Sequence, residues 1–265
     1  MAAAQQHDAL FKAVFSRHEH ARGLLAEVLP RKLVDHLDWS TLAQEPGSYV
    51  DAALSQRHSD LLFSIRGIGG EPLLLYLLVE HQSEADAWMP LRLHGYVDRI
   101  WQRWRAAEPS ATRLPRVVPI VVHHGALGWR EAESLHDLYG PEPPGGDLFG
   151  DCVPALRFLL FDLGTEPTER LERRPMTDFG RVALLLLQRA RTSKDILGDL
   201  KRWIHMLARV LQESRGRQDL ALLLQYVLQT TPVKPTDVRQ LIEGHLAGCG
   251  KTQAGGSTAA GWNLS

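Results

Sequence analysis

Cysteine is scarce in this chain: two residues in 265, Cys152 and Cys249, far apart in sequence. Neither belongs to a Cys-x-x-Cys or Cys/His cluster, which excludes a zinc finger or ribbon. A disulfide framework is excluded with it, so a reducing, cytoplasmic setting is expected. An excess of either charge is also lacking, with 30 Lys and Arg against 31 Asp and Glu. No global field draws the protein onto nucleic acid, and any DNA contact has to come from a local patch. No apolar run reaches the ~20 residues of a membrane span. The start, MAAAQQHDAL, has neither the basic nor the apolar region of a secretory signal. The chain is therefore read as soluble, with no membrane partner. What it does have is 44% apolar residues, enough for one large core or a core with an appendage. There is no internal repeat.

The order of elements follows from periodicity. Residues 8–29 carry Leu10, Phe11, Val14 and Phe15, then Leu24, Leu25, Val28 and Leu29, at helical spacing. Ser16 and Glu19 stand at capping-box spacing, which divides the stretch into two short helices. Pro30 opens a further short helix ending near Leu37. Tyr49–Leu54 is a weak strand candidate. From Ser59 to Arg66 the residues alternate, with Leu61, Phe63 and Ile65 on one face and Asp60, Leu62 and Ser64 on the other. GIGGEP at 67–72 predicts a hairpin turn. Leu73–Val79 is apolar throughout, as expected of a strand buried on both faces. Asp86 is placed to cap the next helix, with Pro90 in its first turn and a stripe of Leu93, Val97, Ile100, Trp101 and Trp104. A strand at Val117–His123 follows. The expected fold is α/β with the order αβββαβ. Beyond it come a Gly/Pro-rich loop to Pro154, a strand within 156–163, and helices at 177–192, 194–213, 217–230 and 235–247. Residues 7–165 form the expected core, 166–247 a helical C-terminal region, and 248–265 a small, polar tail read as disordered.

One constellation points to chemistry. Glu80, His81 and Gln82 end the apolar strand, and alternation sends Glu80 and Gln82 to the same side. A hairpin partner brings Asp60 alongside. Two carboxylates at strand ends make a hard oxygen site suited to Mg²⁺ or Mn²⁺. Such an ion can activate water and neutralise the charge that builds in phosphodiester cleavage. Gln82 can hold the attacking water but supplies no positive charge. A polar residue at a strand end is also what a chain leaving the core requires, so spacing alone leaves catalytic and structural readings about even.

The segments HDALFKAVFS (7–16), SDLLFSI (59–65), LYLLVEHQSEAD (75–86), LRLHGYVDRIW (91–101) and VVPIVVHHG (117–125) resemble the Rpn family of bacterial recombination-promoting nucleases, also labelled YhgA-like transposases. The resemblance runs over roughly 7–230. That family is similar to the PD-(D/E)XK nucleases, whose core order is the αβββαβ read above. The resemblance implies a Mg²⁺-dependent or Ca²⁺-stimulated DNA endonuclease that promotes recombination. It implies that Asp60 and Glu80 are the metal ligands and that Gln82 stands where the wider superfamily has lysine. Lys12 is then a candidate to restore the missing charge, and Asp8 a candidate outer ligand; the bland reading of Asp8 is an acid favoured in a first helical turn. The tail from 247 departs from the charged repeats that end family members.

Arg92, Arg99 and Arg103 share a helix face, and Arg105, Arg113 and Arg116 follow, with Asp98 and Glu108 opposing. This is the best local candidate for phosphate contact, weighed against an ordinary solvated face. His123 and His124 chelate one ion poorly because adjacent strand residues face opposite ways. A structural turn, with Gly125 permitting an unusual backbone angle, explains them better. Helical spacing assigns Trp101, Trp104 and Trp203 to the core rather than to base stacking. Two other functions compete with the endonuclease: a DDE-type transposase, for which no downstream acid has a convincing context, and a non-catalytic relative that binds DNA or protein. The apolar helices ALLLLQ and LALLLQYVLQ offer a surface for a homodimer.

Overall fold

The computed structural model describes residues 2–45, 61–80, 86–141 and 150–246. The contacts divide them into two units, residues 25–165 and, separately, residues up to Leu24 together with those from Glu166 onward. No helix among the described residues is long and apolar enough to cross a membrane.

The first unit is built on a five-stranded sheet in the order β1-β2-β3-β4-β5. The strands are β1 (Leu37–Gln44), β2 (Leu61–Gly67), β3 (Pro72–Glu80), β4 (Arg116–His123) and β5 (Leu159–Asp162). The first three run antiparallel, and β4 and β5 lie parallel to β3. The β2–β3 turn is the hairpin that GIGGEP predicts. Gly67 N–H donates to the Glu71 carbonyl at 2.9 Å, and Gly70 takes φ +86°, a left-handed conformation that favours glycine. The parallel step from β3 to β4 needs a crossover, supplied by α4 (Met89–Ala107). Helices α1 (Ala2–Phe15), α2 (His18–Val28) and α3 (Arg31–Val34) precede β1-β2-β3-α4-β4, so the chain adopts the expected α/β order αβββαβ with β1 as its first strand. The divide at Ser16 and Arg17 falls where the capping-box spacing puts it.

One face of the sheet holds its core under α4. Leu62, Leu74 and Val121 meet Met89, Leu93, Tyr96 and Ile100, with Phe158 closing the side. Each such side chain is worth about 1.5–3 kcal/mol when taken out of water. The opposite face, with Phe63, Ile65, Leu75, Ile120 and Val122, is buried as well. That accounts for the uninterrupted apolar run of β3.

Three expectations need correction. β1 was not anticipated, because its register shifts between Asp38 and Ala43 and only Leu37 and Leu42 are buried, so a clean two-residue alternation is missing. The weak strand candidate at 49–54 lies outside the described residues. Asp86 does not occupy the α4 cap position, which is Trp88; its carboxylate accepts the Trp88 N–H at 2.8 Å and pairs with Arg92 at 2.7 Å. Trp101 and Trp104 are half-buried rather than core, the former donating its indole N–H to the Pro115 carbonyl.

The second unit is helical, with α5 (Thr168–Glu172), α6 (Asp178–Arg189), α7 (Ile196–Arg202), α8 (Ile204–Gln212), α9 (Gly216–Thr230) and α10 (Pro235–Leu246). The single helix expected over 194–213 breaks at Trp203, which is fully buried and gives its indole N–H to Glu172. On sequence the first helix belonged to the core; here α1 packs on α6 and α9. Its apolar stripe, Leu10, Phe11, Val14 and Phe15, is completely covered. Polar side chains lock this packing. His7 Nδ1 lies 2.6 Å from the Tyr226 hydroxyl, and both Asp219 oxygens accept from Arg17 Nη1 at 2.8 and 2.7 Å. The Arg17 guanidinium also lies over the Phe179 ring at 5.3 Å. The Thr177 hydroxyl caps α6 by accepting from Gly180 N–H, and lies 2.7 Å from His20 Nδ1.

Candidate functional site

The carboxyl end of the parallel strands is where an α/β sheet leaves room for a site, because the chain turns away there. Glu80 is the last residue of β3 and pairs with His123, the last of β4, which pairs in turn with Asp162, the last of β5. Three polar residues thus close three neighbouring strands in one row. Each follows an apolar run, so the sheet's polarity changes at a sharp line.

Asp162 is committed to structure. Its Oδ1 accepts from Gly164 N–H at 3.0 Å, and its Oδ2 accepts from Trp129 N–H at 2.8 Å and the Thr165 hydroxyl at 3.2 Å. It ties the loop after β5 to the loop after β4. His123 and His124 are both buried. The His123 carbonyl accepts from Leu163 N–H, and its ring meets Trp129 edge-on, with centroids 5.3 Å apart. Gly125 does not adopt the unusual backbone angle expected of it, since the described glycines with positive φ are Gly70, Gly128 and Gly150. Its service is room: a Cβ there would lie 2.6 Å from His123 Nε2.

Of the residues singled out in the sequence, Asp60 and Gln82 lie outside the described residues, and Glu80 is placed by its backbone alone. Asp8, half-buried, and Lys12, exposed, lie on α1 in the helical unit. Arg92, Arg99 and Arg103 all lie on α4. Arg92 is held by Asp86, Arg99 is exposed, and Arg103 is half-buried. No cluster of three His, Cys, Asp or Glu residues placed to hold a metal occurs among the described residues. The in-row partnership of Glu80 with His123 was missed by sequence reasoning, because alternation assigns faces and leaves the register between strands open.

A family model described as "Putative transposase, YhgA-like" matches residues 5–218. The recombination-promoting nuclease RpnC of Escherichia coli K12 is 36% identical over 235 residues, covering 88% of this chain and 73% of its own length. RpnD of E. coli O157:H7 is 28% identical over 226 residues, covering 84% of this chain and 81% of its own. The K12 protein named inactive recombination-promoting nuclease-like protein RpnE is 29% identical over 225 residues, covering 84% and 70%. No solved structure matches. With the family model covering most of its length, this chain belongs to the YhgA-like transposase family, whose matched relatives are named recombination-promoting nucleases.

Proposed function

We propose that this protein is a divalent-metal-dependent DNA endonuclease of the restriction-endonuclease-like kind, acting in recombination, with Asp60 and Glu80 as the metal ligands. The observation that carries the reading is Glu80 at the carboxyl end of β3, central in an αβββαβ arrangement, in a chain whose relatives are named nucleases. The donor set fits Mg²⁺. Both ligands are carboxylates, and the row Glu80, His123, Asp162 lies where polar groups leave the apolar sheet. Asp162 adds no ligand, because its oxygens are taken by Gly164, Trp129 and Thr165.

A bound Mg²⁺ supplies Lewis-acid stabilisation of the phosphate's charge and lowers the pKa of a coordinated water. Gln82, through its side-chain amide, holds the attacking water by hydrogen bond. Arg99 and Arg103, with Arg92 where its pairing to Asp86 allows, contact the DNA backbone and set the register of the duplex. Plasmid cleavage by the purified protein in Mg²⁺, against EDTA and the variants Asp60→Ala and Glu80→Ala, tests the assignment. Loss of nicking in both variants is expected, and full activity in both overturns it.

A second reading, a non-catalytic member of the family, is favoured by one observation: a relative as similar as RpnE carries "inactive" in its name. DNA binding without cleavage in any divalent metal would select it.

A further inference from the structure

Large apolar side chains left in water are few among the described residues, and they gather at the carboxyl end of the parallel strands. Trp88, 62% exposed, and Leu91, 53% exposed, stand at the start of α4, and Leu127, 74% exposed, follows β4. Leu127 is the most exposed of all, and it stands on a rigid support. It lies at the tip of the turn Gly125–Gly128, closed by Gly128 N–H donating to the Gly125 carbonyl at 3.2 Å. Turn tips favour Gly, Asn, Asp and Ser, which supply backbone freedom or local hydrogen bonds; leucine supplies neither. Gly128 takes φ +71°, and a Cβ there would lie 3.0 Å from Asp162 Oδ2. A Cβ at Gly164 would run into the Gly125 carbonyl. Just past the turn, Asp162 accepts the Trp129 N–H at 2.8 Å. The loop after β5 thus fixes the base of the turn, while Ala126 and Leu127 stand out in water.

Trp88 and Leu127 border the same core. Met89, next to Trp88, belongs to it, and Trp129, two residues past Leu127, packs against it. Cations accompany them. Arg130 is exposed beside the turn, with Glu131 after it, and Arg92 is held by Asp86 in the first turns of α4. A rigid apolar tip with arginines nearby matches the way proteins kink DNA: the apolar side chain enters a base step while cations hold the phosphates. An exposed indole on the same rim suits a base that has lost its stacking partner.

We propose that Leu127 is a wedge that enters a base step of bound DNA, and that Trp88 stacks on a base displaced there, so that the preferred substrate is DNA already weakened in its stacking. The inference rests on the reading of this protein as a DNA nuclease, and on no particular metal ligand.

The test is the ratio of two affinities, for a duplex with a central mismatch and for the same duplex fully paired. Both carry cleavage-resistant phosphorothioate backbones and are titrated with the full chain in Mg²⁺ by fluorescence anisotropy. Unstacking a paired step costs a few kcal/mol and a mismatched one less, so the wild type is expected to prefer the mismatch by about tenfold or more. Leu127→Ser is expected to abolish that preference with thermal unfolding unchanged, and Leu127→Met, which keeps an apolar tip, to retain it. Trp88→Ala is expected to weaken binding of the mismatched duplex about 5–150-fold, the worth of one base stacked on an aromatic ring. Equal affinities in the wild type, or a preference that survives Leu127→Ser, overturn the wedge, and undiminished binding by Trp88→Ala overturns the stacking role. If plasmid is cut but no mismatch is preferred, the wedge alone falls. If the wild type binds neither duplex, the nuclease reading fails and takes this inference with it.

Discussion

The two units use their buried polar groups in opposite ways. In the helical unit His7, His20, Arg174 and Asp219 are buried deep among the helices, and each is engaged with a partner in the same unit: Tyr226, Thr177, Glu166 and Arg17. In the sheet unit the buried polar residues among those described are His123, His124 and Ser134, all at or beyond the end of β4. Polar groups inside the helical unit fix which helix meets which, and their removal is a matter of stability. Polar groups in the sheet unit collect beyond the rim: Ser134 takes part in the capping box of the turn at Leu135–Leu138, and His123 and His124 close β4.

The sharpest way to break that contrast is at Glu80. Glu80→Ala is expected to lower Mg²⁺-dependent plasmid cleavage by about a thousandfold or more, about 4 kcal/mol of barrier, with unfolding in urea unchanged. A comparable loss of stability would put Glu80 on the structural side of the divide. The converse is Arg17→Met, which leaves the Asp219 carboxylate buried without its cation. A loss of about 3 kcal/mol of stability is expected in urea unfolding, with cleavage per folded molecule unaltered.

Acidity probes the same packing. Burial, reinforced by the Arg17 charge, pulls the His20 imidazole down from 6.5 to about 4. The unfolded chain takes up that proton first, so stability holds above pH 6.5 and falls as the pH drops from 6.5 toward 4. The expected loss reaches roughly 3 kcal/mol, and His20→Gln is expected to remove that part of the pH dependence in denaturation curves. A smaller effect belongs to Thr177→Ala, which takes away the α6 cap and the partner of His20, costing about 1 kcal/mol of stability. Smallest is Arg99→Ala. It is expected to leave stability untouched and to lower the slope of log binding against log salt by about 0.9, as one lost phosphate contact does. An unchanged slope would return Arg99 to the ordinary solvated surface.

Much of this was legible in the sequence where periodicity was long and unbroken. β3, α4 and β4 were read within a residue or two, because a seven-residue apolar run and a 3.6-residue stripe leave little choice. β1 was not, since its bulge interrupts alternation and its outward residues Ser40, Ala43 and Gln44 resemble a loop. The break at Trp203 carries no glycine or proline to announce it. Its cause is tertiary, an indole drawn inward to reach Glu172. The candidate site divides in the same way. Glu80 at a strand end could be read from one segment, whereas its companionship with His123 depends on which residues of two strands lie opposite, and the reason for Gly125 depends on where a ring folds back.

The position of α1 has a consequence for how the chain is made. Leu10, Phe11, Val14 and Phe15 are translated before the sheet, yet α6 and α9, on which α1 packs, are translated after all of it. At about 5–20 residues per second the wait is on the order of ten to forty seconds, with a greasy helix uncovered throughout. Nascent and prematurely terminated chains therefore present the same sticky surface, a natural handle for chaperones and for the proteases that clear unfinished copies.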